Sequence, residues 1–178
     1  KRGLTINLGY AYNQFSCQAI SCTLGFVDVP GHIDFINNML AGFGAVNYAL
    51  LVIAADDGVM PQTREHLSII KLLGIKNGII AITKIDKTAS VRIEELRHEI
   101  AELTKDSIFK SGEIFEISNT TQKGIEKLSQ YLESETLRLG SQPGRNESRN
   151  FRFSIDRAFS VKGIGTVVTG CVKSGSIK

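Results

Sequence analysis

The sequence is short of the features that mark several protein classes. Its 178 residues hold three cysteines, an odd number that fits a reduced intracellular protein better than a disulfide framework. Cys17 and Cys22 form a C-x4-C pair, but no second pair and no nearby histidine completes four ligands, which argues against a metal clip. No apolar run approaches the roughly 20 residues that span a bilayer, and the opening Lys1-Arg2-Gly3 carries neither an initiator methionine nor a signal-peptide pattern. We therefore expect a cytoplasmic protein with no membrane association, present here as a segment of a longer product. The net charge is only +3 and the basic residues are spread along the chain, so charge alone gives little argument for a nucleic-acid partner. The dipeptide Gly-Lys never occurs. With it goes any G-x4-G-K-[S/T] loop, whose amides and lysine would cradle a β-phosphate.

What is present is a regular alternation. With 42% hydrophobic and 22% charged residues the chain can bury a core. Short runs rich in Ile, Val, Leu and Phe at 24–29, 48–54, 78–82 and 114–117 read as strands buried on both faces. Amphipathic stretches at 33–43, 62–73, 91–108 and 125–139 read as helices, the third with a stripe at Ile93, Leu96, Ile100 and Leu103. Strand and helix alternating with short connections specify an α/β fold: a mostly parallel sheet covered on both faces by helices, hence three layers. Residues 6–19 partly alternate and predict an edge strand running antiparallel into Leu24.

The polar, Gly- and Pro-containing stretch 140–150 reads as a linker between a first domain, 1–139, and a second beginning at 151. Residues 151–178 change character. Phe151, Phe153 and Ile155 alternate, Gly163 and Gly165 mark a turn, and 166–172 returns as a strand. This predicts an antiparallel hairpin that opens an incomplete β-barrel, with Phe151, Phe153 and Phe159 as barrel core rather than base-stacking platforms.

Parallel sheets bind ligands at the carboxyl ends of their strands. The run 24–29 leads through Asp28-Val-Pro-Gly31-His32, the run 78–82 into Thr83-Lys84-Ile85-Asp86, and the run 114–117 into Ser118-Asn119 before a turn to Gly124. A carboxylate such as Asp28 suits Mg²⁺, and the glycine at 31 lets a backbone N–H approach a phosphate oxygen. Asp86 can accept two parallel N–H bonds from a guanine edge while the Lys84 stem lies over the flat base. Adenine offers no such donor pair.

Taken together, Arg2-Gly-Leu-Thr5-Ile6, Asp28-Val-Pro-Gly-His32, Met60-Pro-Gln-Thr-Arg-Glu-His66, Thr83-Lys-Ile-Asp86 and Val167-Val-Thr-Gly170 resemble the translational GTPases of the elongation factor Tu class over nearly the whole chain. RGLTINLGYAY and FRFSIDRAFSVKGIGTVVTG most resemble its selenocysteine-specific branch. The resemblance implies a P-loop GTPase domain that binds and hydrolyses GTP with Mg²⁺. Its implied partners are selenocysteinyl-tRNA, the ribosome, and an mRNA hairpin through a carboxyl-terminal region not in this chain.

The resemblance also implies roles. Thr5 and Asp28 would hold Mg²⁺, the Gly31 amide would meet the γ-phosphate, and His32 would position the attacking water. Lys84 and Asp86 would read guanine, and the Ser118–Asn119 turn would offer backbone N–H groups to the guanine carbonyl. Thr83 stands where the class usually has Asn, and Asn119 where alanine is common. Elongation factor Tu itself, the related initiation-factor γ subunit, or a nucleotide-free interaction module remain the alternatives.

Other residues read more simply. His66 and His98 fall in helical patterns and are expected to pack or face solvent. Glu94, Glu95, Arg97, Glu99 and Glu102 form a solvated face with i,i+3 pairing. Met39 and Leu40 are expected core.

Overall fold

A computed structural model describes residues 8–17, 20–31, 46–140, 150–175 and 177. The expected helix at 33–43, with Met39 and Leu40, lies outside the described residues, as do Thr5, His32 and most of the 140–150 linker.

Three parallel strands, β3 (Tyr48–Ala54), β4 (Asn77–Thr83) and β5 (Ile114–Glu116), pair in that order. Helix α1 (Pro61–Leu72) connects β3 to β4, α2 (Ser90–Thr104) connects β4 to β5, and α3 (Ile125–Gly140) follows β5. A parallel neighbour can be reached only by such a crossover, which is why the apolar runs are separated by helical ones. In the central strand β4, Ile79, Ile80, Ala81 and Ile82 are fully buried, so the run carries no polar alternation.

The expectation of burial on both faces holds for β4 and not for β3. There Ala49, Leu51 and Ile53 are buried while Leu50 and Val52 remain 38% and 56% exposed. Among the described residues β3 is an edge strand, with a paired neighbour on one side only. One face of the sheet gathers Ile79, Ala81, Phe115 and Ile117 under Ile125, Leu128, Tyr131 and Leu132 of α3. The Tyr48 and Tyr131 hydroxyls meet at 2.9 Å and the Phe115 and Tyr131 rings at 5.1 Å.

Local chemistry explains the helix limits. Pro61 opens α1, where its missing N–H is no loss, and Thr63 Oγ1 accepts the Met60 N–H at 3.3 Å. Helix α2 stops at Thr104, short of the expected 108. Thr104 Oγ1 donates to the Ile100 carbonyl at 2.8 Å, Ser107 Oγ donates to the Thr104 carbonyl at 2.8 Å, and the Phe109 N–H donates back to Ser107 Oγ at 3.1 Å. The Ser107 hydroxyl takes the Thr104 carbonyl that another helical turn would use, and the chain turns to bury Phe109. On the stripe of α2, Leu96 and Ile100 are buried, with Ile93 and Leu103 half-buried. The charged face pairs as expected: Arg92 with Glu95, Arg97 with Glu94, and Lys105 with Glu102.

Strands β1 (Gly9–Cys17) and β2 (Ile20–Asp28) form an antiparallel hairpin in unbroken register from Gly9 opposite Asp28 to Cys17 opposite Ile20. The antiparallel edge strand ahead of Leu24 is therefore present. The expected place of the 24–29 run in the parallel sheet is not. Among the described residues β2 bonds only to β1, and Phe26 and Asp28 are exposed. An apolar run specifies a strand without naming its partner, and a neighbour two residues away closes the shortest loop.

Strands β6 (Arg152–Val161) and β7 (Gly165–Ser174) form the expected second hairpin, with Gly163 and Gly165 in left-handed backbone at the turn. Among the described residues no further strand pairs with this hairpin. Phe151 and Phe159 are exposed and Phe153 half-buried, the Phe151 and Phe153 rings stacking at 6.2 Å. Two strands offer no second layer to bury against. The chain divides into two compact units: Asn47–Glu135, with the parallel sheet, and a second that takes in the two hairpins and the end of α3. Among the described residues no helix is long and apolar enough to cross a membrane.

Candidate functional site

The carboxyl ends of β3, β4 and β5 are stitched together by backbone bonds. The Ala55 N–H donates to the Thr83 carbonyl at 2.8 Å, the Ile117 N–H to the Ile82 carbonyl at 2.8 Å, and the Ile85 N–H to the Ile117 carbonyl at 3.4 Å. The structure thus brings Thr83, Lys84, Asp86, Ser118 and Asn119 to one edge of one sheet. Beyond Thr83 the chain turns at Lys84, whose φ of 57° and ψ of 31° are left-handed, into a short 3-10 turn, Ile85–Lys87. Ile85 is buried and anchors that turn, which leaves Asp86 exposed. A non-glycine residue in left-handed backbone is held there only where its surroundings fix it, commonly at a ligand site.

The backbone there is held by the Ile85 N–H on the Ile117 carbonyl and by the Lys87 N–H on the Lys84 carbonyl at 3.0 Å, and the Lys84 side chain meets a pair of carboxylates. Its Nζ donates to Asp56 Oδ1 at 2.8 Å, to Asp56 Oδ2 at 3.0 Å and to Asp57 Oδ2 at 3.1 Å. The hydrogen bond from Lys84 holds the Asp56 carboxyl below its ordinary range, and the bonds to Asp56 and then Asp57 raise the Lys84 ammonium above its own. Neither aspartate is among the candidates named from the sequence. The signal was nevertheless there: β3 leads through Ala55 into Asp56-Asp57-Gly58, an apolar strand followed by carboxylates and a glycine.

After β5, Ser118 is fully buried and organises the turn. Its N–H donates to the Lys123 carbonyl at 3.0 Å, and its Oγ accepts the Thr121 N–H at 3.1 Å. The Ser118 amide is therefore engaged within the turn by the Lys123 carbonyl. The amides of Asn119 and Thr120, one step further on, have no backbone partner among the described residues. The turn closes at Gly124, with φ of 76°, where any Cβ would strike the Glu116 carbonyl.

Asp28 and Gly31 belong to the other unit, where both are exposed at the end of β2. Among the described residues no group of three His, Cys, Asp or Glu side chains gathers to hold a metal ion. An exposed strand-end carboxylate fits Mg²⁺ all the same, because that ion keeps several waters and takes one or two carboxylates plus phosphate oxygens. His98 sits on the exposed face of α2, its Nδ1 bonded to the Glu94 carbonyl at 2.8 Å, and His66 is half-buried on α1.

Parallel strands joined by crossover helices, with polar turns gathered at their carboxyl ends, have the form of a nucleotide-binding domain, and the elongation factor Tu GTP binding domain matches residues 1–137. The chain belongs to that family. Along its full length it is 43% identical to the selenocysteine-specific elongation factor of Escherichia coli and 46% identical to that of Haemophilus influenzae. It spans only 28% and 27% of those relatives. Among solved structures, a bacterial selenocysteine-specific elongation factor matches 98% of this chain with a TM-score of 0.80 at 38% identity, the chain covering 29% of it. The factor SelB from Methanococcus maripaludis, solved with the GTP analogue GppNHp, matches 96% of this chain with a TM-score of 0.77 at 31% identity, the chain covering 36% of it. The fold is that of a translational GTPase.

Proposed function

We propose that this chain supplies the base-reading and switch portions of a factor that carries selenocysteinyl-tRNA to the ribosome and hydrolyses GTP to GDP and phosphate. The observation that carries this reading is the joining of Lys84, Asp86 and the Asn119 amide on one sheet edge. Asp86, exposed on its 3-10 turn, would accept the two N–H groups of the guanine edge. The Lys84 stem would lie against the ring, and the Asn119 and Thr120 amides would meet the guanine carbonyl. Thr83 has no side-chain amide to link this loop to a phosphate loop, so recognition would rest on these contacts.

On the phosphate side, Asp28 and Thr5 would hold Mg²⁺, which when bound neutralises charge on the β- and γ-phosphates. The Gly31 amide would meet the γ-phosphate and His32 would orient water, a contribution of positioning rather than covalent chemistry. Residues 1–139 would form the GTPase domain and 151–178 the opening of a β-barrel domain, joined by 140–150. The proposed partners are selenocysteinyl-tRNA, the ribosome and, through a further region, an mRNA hairpin. The support for selenocysteine is the identity to selenocysteine-specific factors in two bacteria.

The test is Asp86→Asn in the full-length gene product. Preference should move from GTP toward XTP, since an amide presents a donor where the carboxylate presented an acceptor. An unchanged preference for GTP would remove Asp86 from the base site. Protection of the aminoacyl ester of selenocysteinyl-tRNA over seryl-tRNA in the presence of GTP checks the cargo.

A further inference from the structure

We propose that Asp56 and Asp57 are positioning residues for base recognition: they pin the Lys84 ammonium, so that its methylene stem stands as a fixed shelf for the purine ring. The inference rests on the base-site reading above and adds to it a clamp carried by a different strand. The geometry is over-determined. Asp56 meets the ammonium with both oxygens and Asp57 with one. The Asp57 and Gly58 amides both donate to the Ala54 carbonyl, at 3.2 and 2.8 Å, which folds the end of β3 into a tight turn. The Ala55 to Thr83 bond fixes that turn against the strand from which Lys84 emerges. Left-handed backbone at Lys84 completes the set.

These ion pairs suit a binding task better than a folding one. All three side chains are partly exposed, from 31% to 58%, and exposed pairs add little to stability. A free lysine has many rotamers to lose when it packs on a ligand, and one already held by carboxylates loses fewer. Holding the lysine would favour every purine equally, because the stem meets the ring face. Choice among purines stays with Asp86 and the edge of the base.

The experiment uses the full-length gene product and a fluorescent GDP analogue followed by stopped flow. Replacing both residues, Asp56→Asn with Asp57→Asn, should speed nucleotide dissociation about tenfold. The factor should be the same for the inosine analogue, which lacks the 2-amino group, and the thermal midpoint should not move. In a Lys84→Ala background the asparagine pair should add nothing, a coupling that a merely structural role would not produce. Unchanged dissociation in the asparagine pair, or an undiminished effect without Lys84, overturns the inference. If Asp86→Asn fails to shift base preference, the base site itself falls and this inference with it. If that shift occurs while the asparagine pair is silent, the clamp alone is wrong.

Discussion

The hydroxyl oxygen of Ser118 accepts the Thr121 amide at 3.1 Å, inside a turn where Ser118 itself is fully buried. Ser118→Ala removes the acceptor and leaves a partly buried N–H without a partner, a loss of about 1–3 kcal/mol. Denaturant unfolding should show the midpoint fall with an unchanged slope. The next amide, that of Asn119, should lose its orientation too, so guanine affinity in the full-length protein should fall with stability.

The pair formed by Asp56 and Lys84 makes a prediction about pH. The carboxyl titrates below its ordinary 3.8 and the ammonium above its ordinary 10.5, each because of its hydrogen bond to the other. A depressed carboxylate contributes fully above 3.8 and is lost as pH falls through its lowered value. A raised lysine contributes fully below 10.5 and is lost as pH rises through its raised value. The clamp should therefore be unaffected by pH throughout the neutral range. Carbon-detected NMR should give Asp56 a midpoint below 3.8, moving up toward that value in Lys84→Ala.

A polypeptide of these 178 residues should bind GDP and GTP poorly. It contains no Gly-Lys dipeptide, and without a glycine-rich loop at a helix N-terminus the β-phosphate lacks its amide donors. Equilibrium dialysis should find no binding in the micromolar range or tighter. Tight binding would show that the base edge suffices.

His32→Ala in the full-length protein should slow ribosome-stimulated hydrolysis about a hundredfold or more, with little change in GTP affinity. Single-turnover phosphate release checks the first and nucleotide titration the second. An unaltered rate would reject the role of His32.

Much of this was legible in the chain because periodicity and strand ends are local. The apolar run at 78–82 read as a parallel strand buried on both faces, and Asn77–Thr83 is one. Lys84, Asp86 and the Ser118 turn could be placed on one edge because parallel strands put their carboxyl ends on the same side. What escaped was pairwise. Nothing in the 24–29 run says that β2 bonds to β1 and not to the parallel sheet. The limit of α2 depended on where the Ser107 hydroxyl would turn. Asp56 and Asp57 acquire meaning only once Lys84, 27 and 28 residues away, is seen between them. The internal use of the Ser118 amide likewise depends on Lys123.

The uncovered Leu50 and Val52 on β3 have a practical consequence. Along the outer side of that strand the described elements supply no partner for the backbone, and two apolar side chains stand beside it. Such an edge is a template for another chain. The association state of this polypeptide should therefore depend on its concentration, and Val52→Lys should keep it dispersed at concentrations where the natural sequence self-associates.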